Sequence, residues 1–366
     1  MSAEEFIPQM RPLFGEEEKA ELADYLTEDG FFTEFKRTEL FEQQIAHYTG
    51  ARHCIVVNNG TVSLTLAAIA LGVGPGDEVI VPNYTMIASP NSVKMLGAVP
   101  VFVDVEPETL VMDIEKARAA ITPKTKALML VSANGRAPQV GIAAFQQLCS
   151  ERGIALIEDS AQSLGSFYAP DQHVGRAGAI GSFSFSAPKI ISTGQGGALI
   201  TDDDSLADKL RRLKDFGRRS GGTDIHDSVG YNFKFTELQA CVGIAQMKKL
   251  PERVVRKKVI WQRYAEGLAG IPEFKLFEHD LKLCTPWFID SLAQRRDELA
   301  AHLKAAGIGT RTMYPPINQQ KAYDQAGSYP VSELVGRDGL WLPSMIQLTD
   351  AQIKRICVEI RRFYGR

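Results

Sequence analysis

The chain has 366 residues, with 41 Lys+Arg against 44 Asp+Glu and five Cys. That length exceeds one small core and predicts two domains, or one large α/β domain with an appendage. Hydrophobic content of 45% and a net charge of −3 exclude a disordered chain, and exclude nucleic-acid or anionic-membrane binding by bulk charge. No apolar run approaches bilayer length, and the opening MSAEEFIPQM lacks the basic-then-apolar pattern of a leader, so a cytoplasmic protein is expected. Cys54, Cys149, Cys241, Cys284 and Cys357 are scattered, odd in number and never spaced C-x-x-C. Reduced thiols are expected, with neither a disulfide framework nor a metal site.

In chain order, Val56–Val57 reads as a strand end running into a helix over Thr61–Leu71. Short apolar runs then predict strands at Glu78–Pro82, Val99–Val105, Lys126–Val131, Ala155–Asp159, Gly181–Ser186 and Ala198–Thr201. Helical patterns fall between several of them: Thr85–Leu96, Ile114–Ile121, Ile142–Arg152 and, after the last, Ser205–Phe216. VIVP, PVFVDV and ALIED are apolar on both faces, as strands covered by two helix layers must be. The alternation implies a mostly parallel central sheet with helices on both faces. Beyond it, Phe235–Lys249 and Glu252–Leu268 read as two helices separated near Pro251. Short strands at Lys275–Phe277 and Trp287–Ser291, and helices at Arg296–Ala306 and Thr349–Tyr364, predict a smaller C-terminal α+β domain. The division is placed at residues 1–250 and 251–366.

Three stretches carry chemistry. In Asn58-Asn59-Gly60-Thr61, a strand end meets a helix start whose free N–H groups and hydroxyl suit an anion; an N-cap with a turn glycine is the plain alternative. ALIED ends a buried strand in Glu158 and Asp159, which face opposite ways, and open α/β sheets place their sites at carboxyl strand ends. Asp159 is thus a candidate to meet a cation, or else an N-cap for Ser160-Ala161-Gln162. Lys189 follows an alternating strand and precedes the Gly-rich Ser192-Thr193-Gly194-Gln195-Gly196-Gly197. In dry surroundings its neutral amine is favoured and can attack a carbonyl. Phosphate cradle, strand-end carboxylate and loop lysine, in this order, are what pyridoxal phosphate needs.

With GVGPGDEVIVP, GAVPVFVDVEPET, IEDSAQSLGS, FSFSAPK, STGQGGALITDDD, GYNFKFTELQA and LWLPSM, these residues resemble the DegT/StrS family of sugar aminotransferases, in the fold-type I group of pyridoxal-phosphate enzymes. The resemblance spans nearly the whole chain and is nearest its perosamine-synthase-like members. It implies a homodimer with shared active sites. Carried over by position, Lys189 would hold the cofactor, Asp159 would pair with its ring nitrogen, and Gln162 would approach its 3-hydroxyl. Gly60, Thr61 and Ser184 would bind its phosphate, and Asn232 would reach that phosphate from the neighbouring subunit. Met86 stands where the family usually places an aromatic over the ring, with Tyr84 as the other candidate. The common His-Leu-Tyr-Gly-Gln loop reads Ser132-Ala133-Asn134-Gly135-Arg136, which makes Arg136 a candidate grip for a substrate carboxylate or phosphate. Arg311, Tyr314 and Asn318 are further substrate candidates, Asn318 replacing a common histidine.

The resemblance implies that glutamate donates an amino group to a keto sugar, with a nucleotide-linked 4-keto-6-deoxy sugar as acceptor. A different phosphorylated, carboxylated or carbocyclic ketone is the alternative. A sugar dehydratase of the same fold would replace the Schiff-base lysine by histidine, and Lys189 stands against it. The same lysine, with Asp159 and Ser184, stands against a non-catalytic regulator.

Overall fold

The computed structural model describes residues 6–28, 30–219 and 224–366. Half of the decapeptide read for a leader, residues 1–5, lies outside them.

Two helices, α1 (Glu16–Thr27) and α2 (Lys36–Thr49), precede the first strand, β1 (His53–Val57). Then follow α3 (Gly60–Ala70), β2 (Glu78–Pro82), α4 (Ala88–Lys94), β3 (Val99–Val103), α5 (Ile114–Ala120), β4 (Thr125–Val131), α6 (Ile142–Arg152) and β5 (Ala155–Asp159). A hairpin of β6 (Phe167–Ala169) and β7 (Gln172–His173) leads to β8 (Ile180–Ser184), β9 (Gly197–Thr201) and α7 (Asp204–Lys214). The long α8 (Glu237–Leu268) is followed by β10 (Phe274–Leu276), β11 (Ile289–Ala293), α9 (Arg296–Ala305), β12 (Arg311–Thr312), α10 (Pro330–Asp338), β13 (Gly339–Leu342) and α11 (Asp350–Phe363).

Seven strands form the large sheet in the order β1-β9-β8-β5-β4-β2-β3. The expected mostly parallel arrangement is borne out: only β9 runs against its neighbours, pairing antiparallel with both β1 and β8. This one reversal matters for the site. The carboxyl ends of β1, β5 and β8 lie along one edge, and the amino end of β9 lies there too. The β8–β9 connection, residues 185–196, therefore begins and ends at the edge where open α/β sheets bind their ligands. Helix α3 is apolar nearly all round, so it is buried, packed on β8 and β9 with α7 beside it. Helices α5 and α6 close a second core on the opposite face. The smaller sheet is β10-β11-β13-β12, antiparallel throughout, with its own core under α9, α11 and the end of α8.

Element by element, most expectations shift by a residue or two. Two differ in kind. The helix expected at Thr85–Leu96 spans only Ala88–Lys94, because residues 85–87 form the turn that enters the site. The break expected at Pro251 is absent: α8 runs unbroken for 32 residues, about 48 Å. A proline there removes one backbone hydrogen bond. Packing of α1, α2 and α11 along the helix, and the capping box of Thr236 and Gln239 at its start, keep it continuous.

Candidate active site

Asp159 ends β5 and is buried. Its Oδ2 accepts from the Ser89 hydroxyl at 2.7 Å and its Oδ1 from the Ala161 N–H at 3.2 Å. Burial raises its proton affinity, while Ser89, Ala161 and the Lys189 ammonium pull the other way. Strand alternation sends Glu158 to the opposite face. There its carboxylate is fully buried and accepts from Tyr168 Oη (2.7 Å) and the N–H groups of Gly175 (2.9 Å), Ala177 (2.6 Å) and Gly178 (2.6 Å). The two adjacent carboxylates thus have separate tasks: Glu158 ties down the segment after the β6–β7 hairpin, and Asp159 faces the cavity.

Lys189 sits in a turn of the β8–β9 connection, its N–H donating to Ser186 O at 3.0 Å. The loop is held from outside as well. Arg253 of α8 donates to Ile190 O at 2.9 Å, and the Trp287 indole donates to Pro188 O at 2.8 Å. The Lys189 ammonium lies 4.3 Å from the centroid of the Trp287 ring. Burial pushes the Lys189 amine down to about 8, against the upward pull of Asp159.

The third wall is the start of α3. Asn59 is its N-cap, the side chain accepting from Val62 N at 3.0 Å, so the plain reading of this motif holds. It also leaves the N–H groups of Gly60 and Thr61 free of intrahelical partners, as every helix start does. Backbone here approaches closely enough to require glycine. A Cβ on Gly60 would fall 2.8 Å from Ser184 Cβ, and one on Gly197 would fall 2.5 Å from Asn59 O. Glycine at both positions brings the helix start, the Ser184 hydroxyl and the head of β9 together. These walls enclose a cavity of about 770 Å³ lined by, among others, Asn58, Gly60, Thr61, Met86, Asp159, Gln162, Ser184 and Lys189. A carboxylate in the depth, an amine beside it and an anion cradle at one end fit pyridoxal phosphate.

Of the residues named from sequence, Gly60, Thr61, Met86, Asp159, Gln162, Ser184 and Lys189 meet around this cavity. Gln162 is oriented by accepting from the Asn134 N–H at 2.6 Å. Met86 lies half exposed on the wall, whereas Tyr84 is buried against Tyr314, ring centroids 6.0 Å apart. The thioether, not the phenol, faces the cavity. Asn232 is exposed, in an isolated bridge with Asp215, outside the lining of this cavity. Arg311 is exposed near Trp341, its guanidinium carbon 5.4 Å from the ring centroid. Tyr314 packs edge-on to the same tryptophan at 4.7 Å, and burial pushes its hydroxyl up to about 12.

Like Asn232, Arg311 and Tyr314 lie outside the lining of this cavity, and two further candidates are committed to partners elsewhere. Arg136 was expected to turn its fork toward substrate. Instead it is buried, with Nη1 and Nη2 on the Asp290 carboxylate (3.2 and 2.5 Å) and Nε on Thr109 O (2.8 Å). Its charge is matched inside the protein and it does not line the cavity. Asn318 is likewise occupied: its Oδ1 accepts from Asn83 Nδ2 at 2.9 Å, its N–H donates to Asn83 Oδ1 at 2.9 Å, and its Nδ2 donates to Gln325 O at 3.1 Å.

Sequence reasoning missed Ser89, which holds Asp159, and Trp287, which covers Lys189. Ser89 lies inside the Pro82-Asn83-Tyr84-Thr85 segment's following helix, where a serine among small residues carries no signal. Trp287 follows a Thr-Pro at the start of a strand; a large aromatic there signals packing and nothing more.

The sequence pattern of the DegT/DnrJ/EryC1/StrS aminotransferase family matches residues 12–361. The chain is 33% identical over 367 aligned residues to GDP-perosamine synthase of Vibrio cholerae, covering 98% of this chain and 99% of that one. Among solved structures, S. venezuelae DesV in complex with a ketimine intermediate superposes with a TM-score of 0.92 at 32% identity, covering 99% of both chains. The PLP form of a putative sugar aminotransferase, Spr1654 of Streptococcus pneumoniae, superposes with a TM-score of 0.91 at 27% identity, covering 98% of this chain and 99% of that one. An amine, a carboxylate and an anion cradle around one cavity, on this fold and across almost the full length of all three similar proteins, identify the chain as a pyridoxal-phosphate enzyme that belongs to the DegT/DnrJ/EryC1/StrS aminotransferase family.

Proposed function

We propose that the protein moves an amino group from glutamate to the ketone of a nucleotide-linked 4-keto-6-deoxy sugar, in the cytoplasm, as a step toward an amino sugar for a surface polysaccharide. One observation carries the chemistry: the Lys189 amine, depressed to about 8, shares a cavity with the buried Asp159 carboxylate and the start of α3. Pyridoxal phosphate, when bound, supplies the carbonyl carbon that takes the amino group and a ring that accepts electrons as a C–H bond breaks.

The chain's own residues do the rest. At pH 7 an amine with this proton affinity is neutral roughly 300-fold more often than an unperturbed lysine, so Lys189 has a lone pair for a carbonyl carbon. Once the substrate's own amino group has displaced it, the freed Lys189 amine would take the proton from the donor's carbon and, as the ammonium, give it back. Asp159 would keep the ring nitrogen protonated, held for this by Ser89. The N–H groups of Gly60 and Thr61 and the Ser184 hydroxyl would take the phosphate, with the helix dipole behind them. Gln162 would meet the 3-hydroxyl and the Met86 thioether would pack on the ring face. Arg311 and Tyr314 are assigned to substrate. Arg136 is not, since its partners are internal.

The sugar assignment is supported by the likeness to GDP-perosamine synthase over nearly the whole chain. A homodimer is supported by the exposed apolar residues Phe31, Phe32, Ile225 and Val229, and by Asn232, which is free to serve a neighbouring subunit's phosphate. Two working units, residues 1–250 and 251–366, are proposed around the two sheets, α8 belonging to both. No helix among the described residues is long and apolar enough to cross a membrane.

The test is spectroscopic. Purified protein given pyridoxal phosphate should turn yellow, glutamate should bleach the colour, and a 4-keto-6-deoxy sugar nucleotide should restore it. Lys189→Ala should neither form the lysine-linked colour nor turn over. Bleaching that persists unchanged in Lys189→Ala would sink the assignment.

A further inference from the structure

Trp287 belongs to the segment leading into β11 of the small sheet, far in sequence from Lys189, yet two contacts fix it against the lysine loop and a third ties it to α8. Its ring centroid lies 4.3 Å from Lys189 Nζ. Its Nε1–H donates to the carbonyl of Pro188, the residue before the lysine, at 2.8 Å. Its own carbonyl accepts from Nζ of the buried Lys257 of α8 at 2.6 Å. The indole cannot slide away, because it is stacked on Phe288 with centroids 3.8 Å apart and edged by Trp341 at 5.9 Å. An aromatic face within about 6 Å of an ammonium attracts it, tryptophan most strongly, and more so when water is excluded.

We propose that Trp287 is a positioning residue for Lys189: its indole N–H fixes the loop at Pro188, while its ring face gives the ammonium form of the lysine a seat. The inference rests on the reading of Lys189 as the reactive amine. It adds that the last quarter of the chain, beyond α8, governs where this amine rests and how readily it holds a proton. Asp159 is the ionisable group that pulls the Lys189 amine toward its charged form. A carboxylate and a π-face thus both favour the ammonium, while burial favours the neutral amine.

The experiment uses the full chain freed of cofactor. Trace acetic anhydride labels Lys189 across a pH series, and mass spectrometry of its peptide yields the midpoint of amine ionisation. Replacing the tryptophan at 287 by its mono-, di- and trifluoro analogues drains the ring face without changing its shape. The midpoint is expected to fall stepwise, by about half a pH unit across the series, a roughly threefold change in the ammonium-to-amine ratio. A structural role would leave it unmoved, and an unmoved midpoint overturns the proposal. Trp287→Phe keeps a ring but loses the N–H, so amide hydrogen exchange in residues 190–194 should quicken; unchanged exchange also counts against it. Borohydride trapping of pyridoxal phosphate separates the two readings. An adduct on Lys189 with a flat fluorination series overturns this inference alone, whereas no adduct on Lys189 overturns the proposed function and this inference together.

Discussion

At the scale of single residues, the site is a contest over protons. Burial drives the Lys189 amine toward neutrality and the Asp159 carboxyl toward protonation. In the proposed reaction the first suits Lys189 and the second opposes Asp159, which gives Ser89 its importance. Its hydroxyl donates to the carboxylate and therefore favours the charged form. Ser89→Ala should raise the proton affinity of Asp159, moving the acid limb of the kcat profile to higher pH and lowering turnover roughly tenfold at neutral pH. An unshifted acid limb would assign Ser89 a packing role only. Asp159 and Lys189 were legible in sequence because each sits at a chain position with a physical signature, one at a buried strand's end and one entering a glycine-rich loop. Ser89 and Trp287 were not, because what they touch comes from 70 and 98 residues away.

At the scale of elements, helix ends show how far local reading reaches. Asp113, Asp203 and Thr349 cap α5, α7 and α11 with their own side chains, as the sequence pattern leads one to expect. Helix α2 starts after Phe35, which has no capping side chain. Its cap arrives from α8. The fully buried Glu237 accepts from the N–H groups of Phe35 (2.7 Å), Arg37 (2.8 Å) and Thr38 (2.8 Å), and from the Thr38 hydroxyl at 2.5 Å. No window of sequence could show a cap supplied from 200 residues downstream. Glu237→Gln should cost about 2 kcal/mol in urea unfolding, with the slope of the transition unchanged. A loss below about 0.5 kcal/mol would mean that water replaces the cap. The expected break at Pro251 failed for a related reason: propensity is local, and α8 is held by helices from three other parts of the chain.

At the scale of the whole molecule, Arg136 turned out to be a tie between the two sheets. It leaves the loop after β4 and ends on Asp290 of β11, with His279 Nε2 2.9 Å from Nη1. Burial pushes the Asp290 carboxyl up, but the Arg136 guanidinium and His279 outweigh it and leave the group at about 2. A carboxylate with a depressed folded value stabilises the protein above its unfolded value, near 3.9, and that stability is lost as pH falls toward 2. Wild type should therefore lose unfolding free energy between about pH 4 and pH 2. Asp290→Asn should abolish that part of the pH dependence and cost about 3–5 kcal/mol at neutral pH, since it strands a buried guanidinium. A neutral-pH change under about 1 kcal/mol would show that Arg136 finds water or another acceptor. The mostly parallel sheet and the strand-end edge that lines the cavity were readable from alternating apolar runs and strand ends; the strand order was not. This tie was not, because a buried and a substrate-facing arginine look alike in a loop sequence.

The unbroken α8 has a mechanical meaning. A joint between the two sheets would be expected where proline interrupts a helix, yet here a rod of about 48 Å crosses that point. Two residues beyond the proline, Arg253 reaches the carbonyl of Ile190, next to Lys189, and one turn further Lys257 holds the carbonyl of Trp287. Bending at the proline would drag on both handles of the lysine loop at once. One unbroken helix thus holds the lysine loop directly, through Ile190, and indirectly, through Trp287.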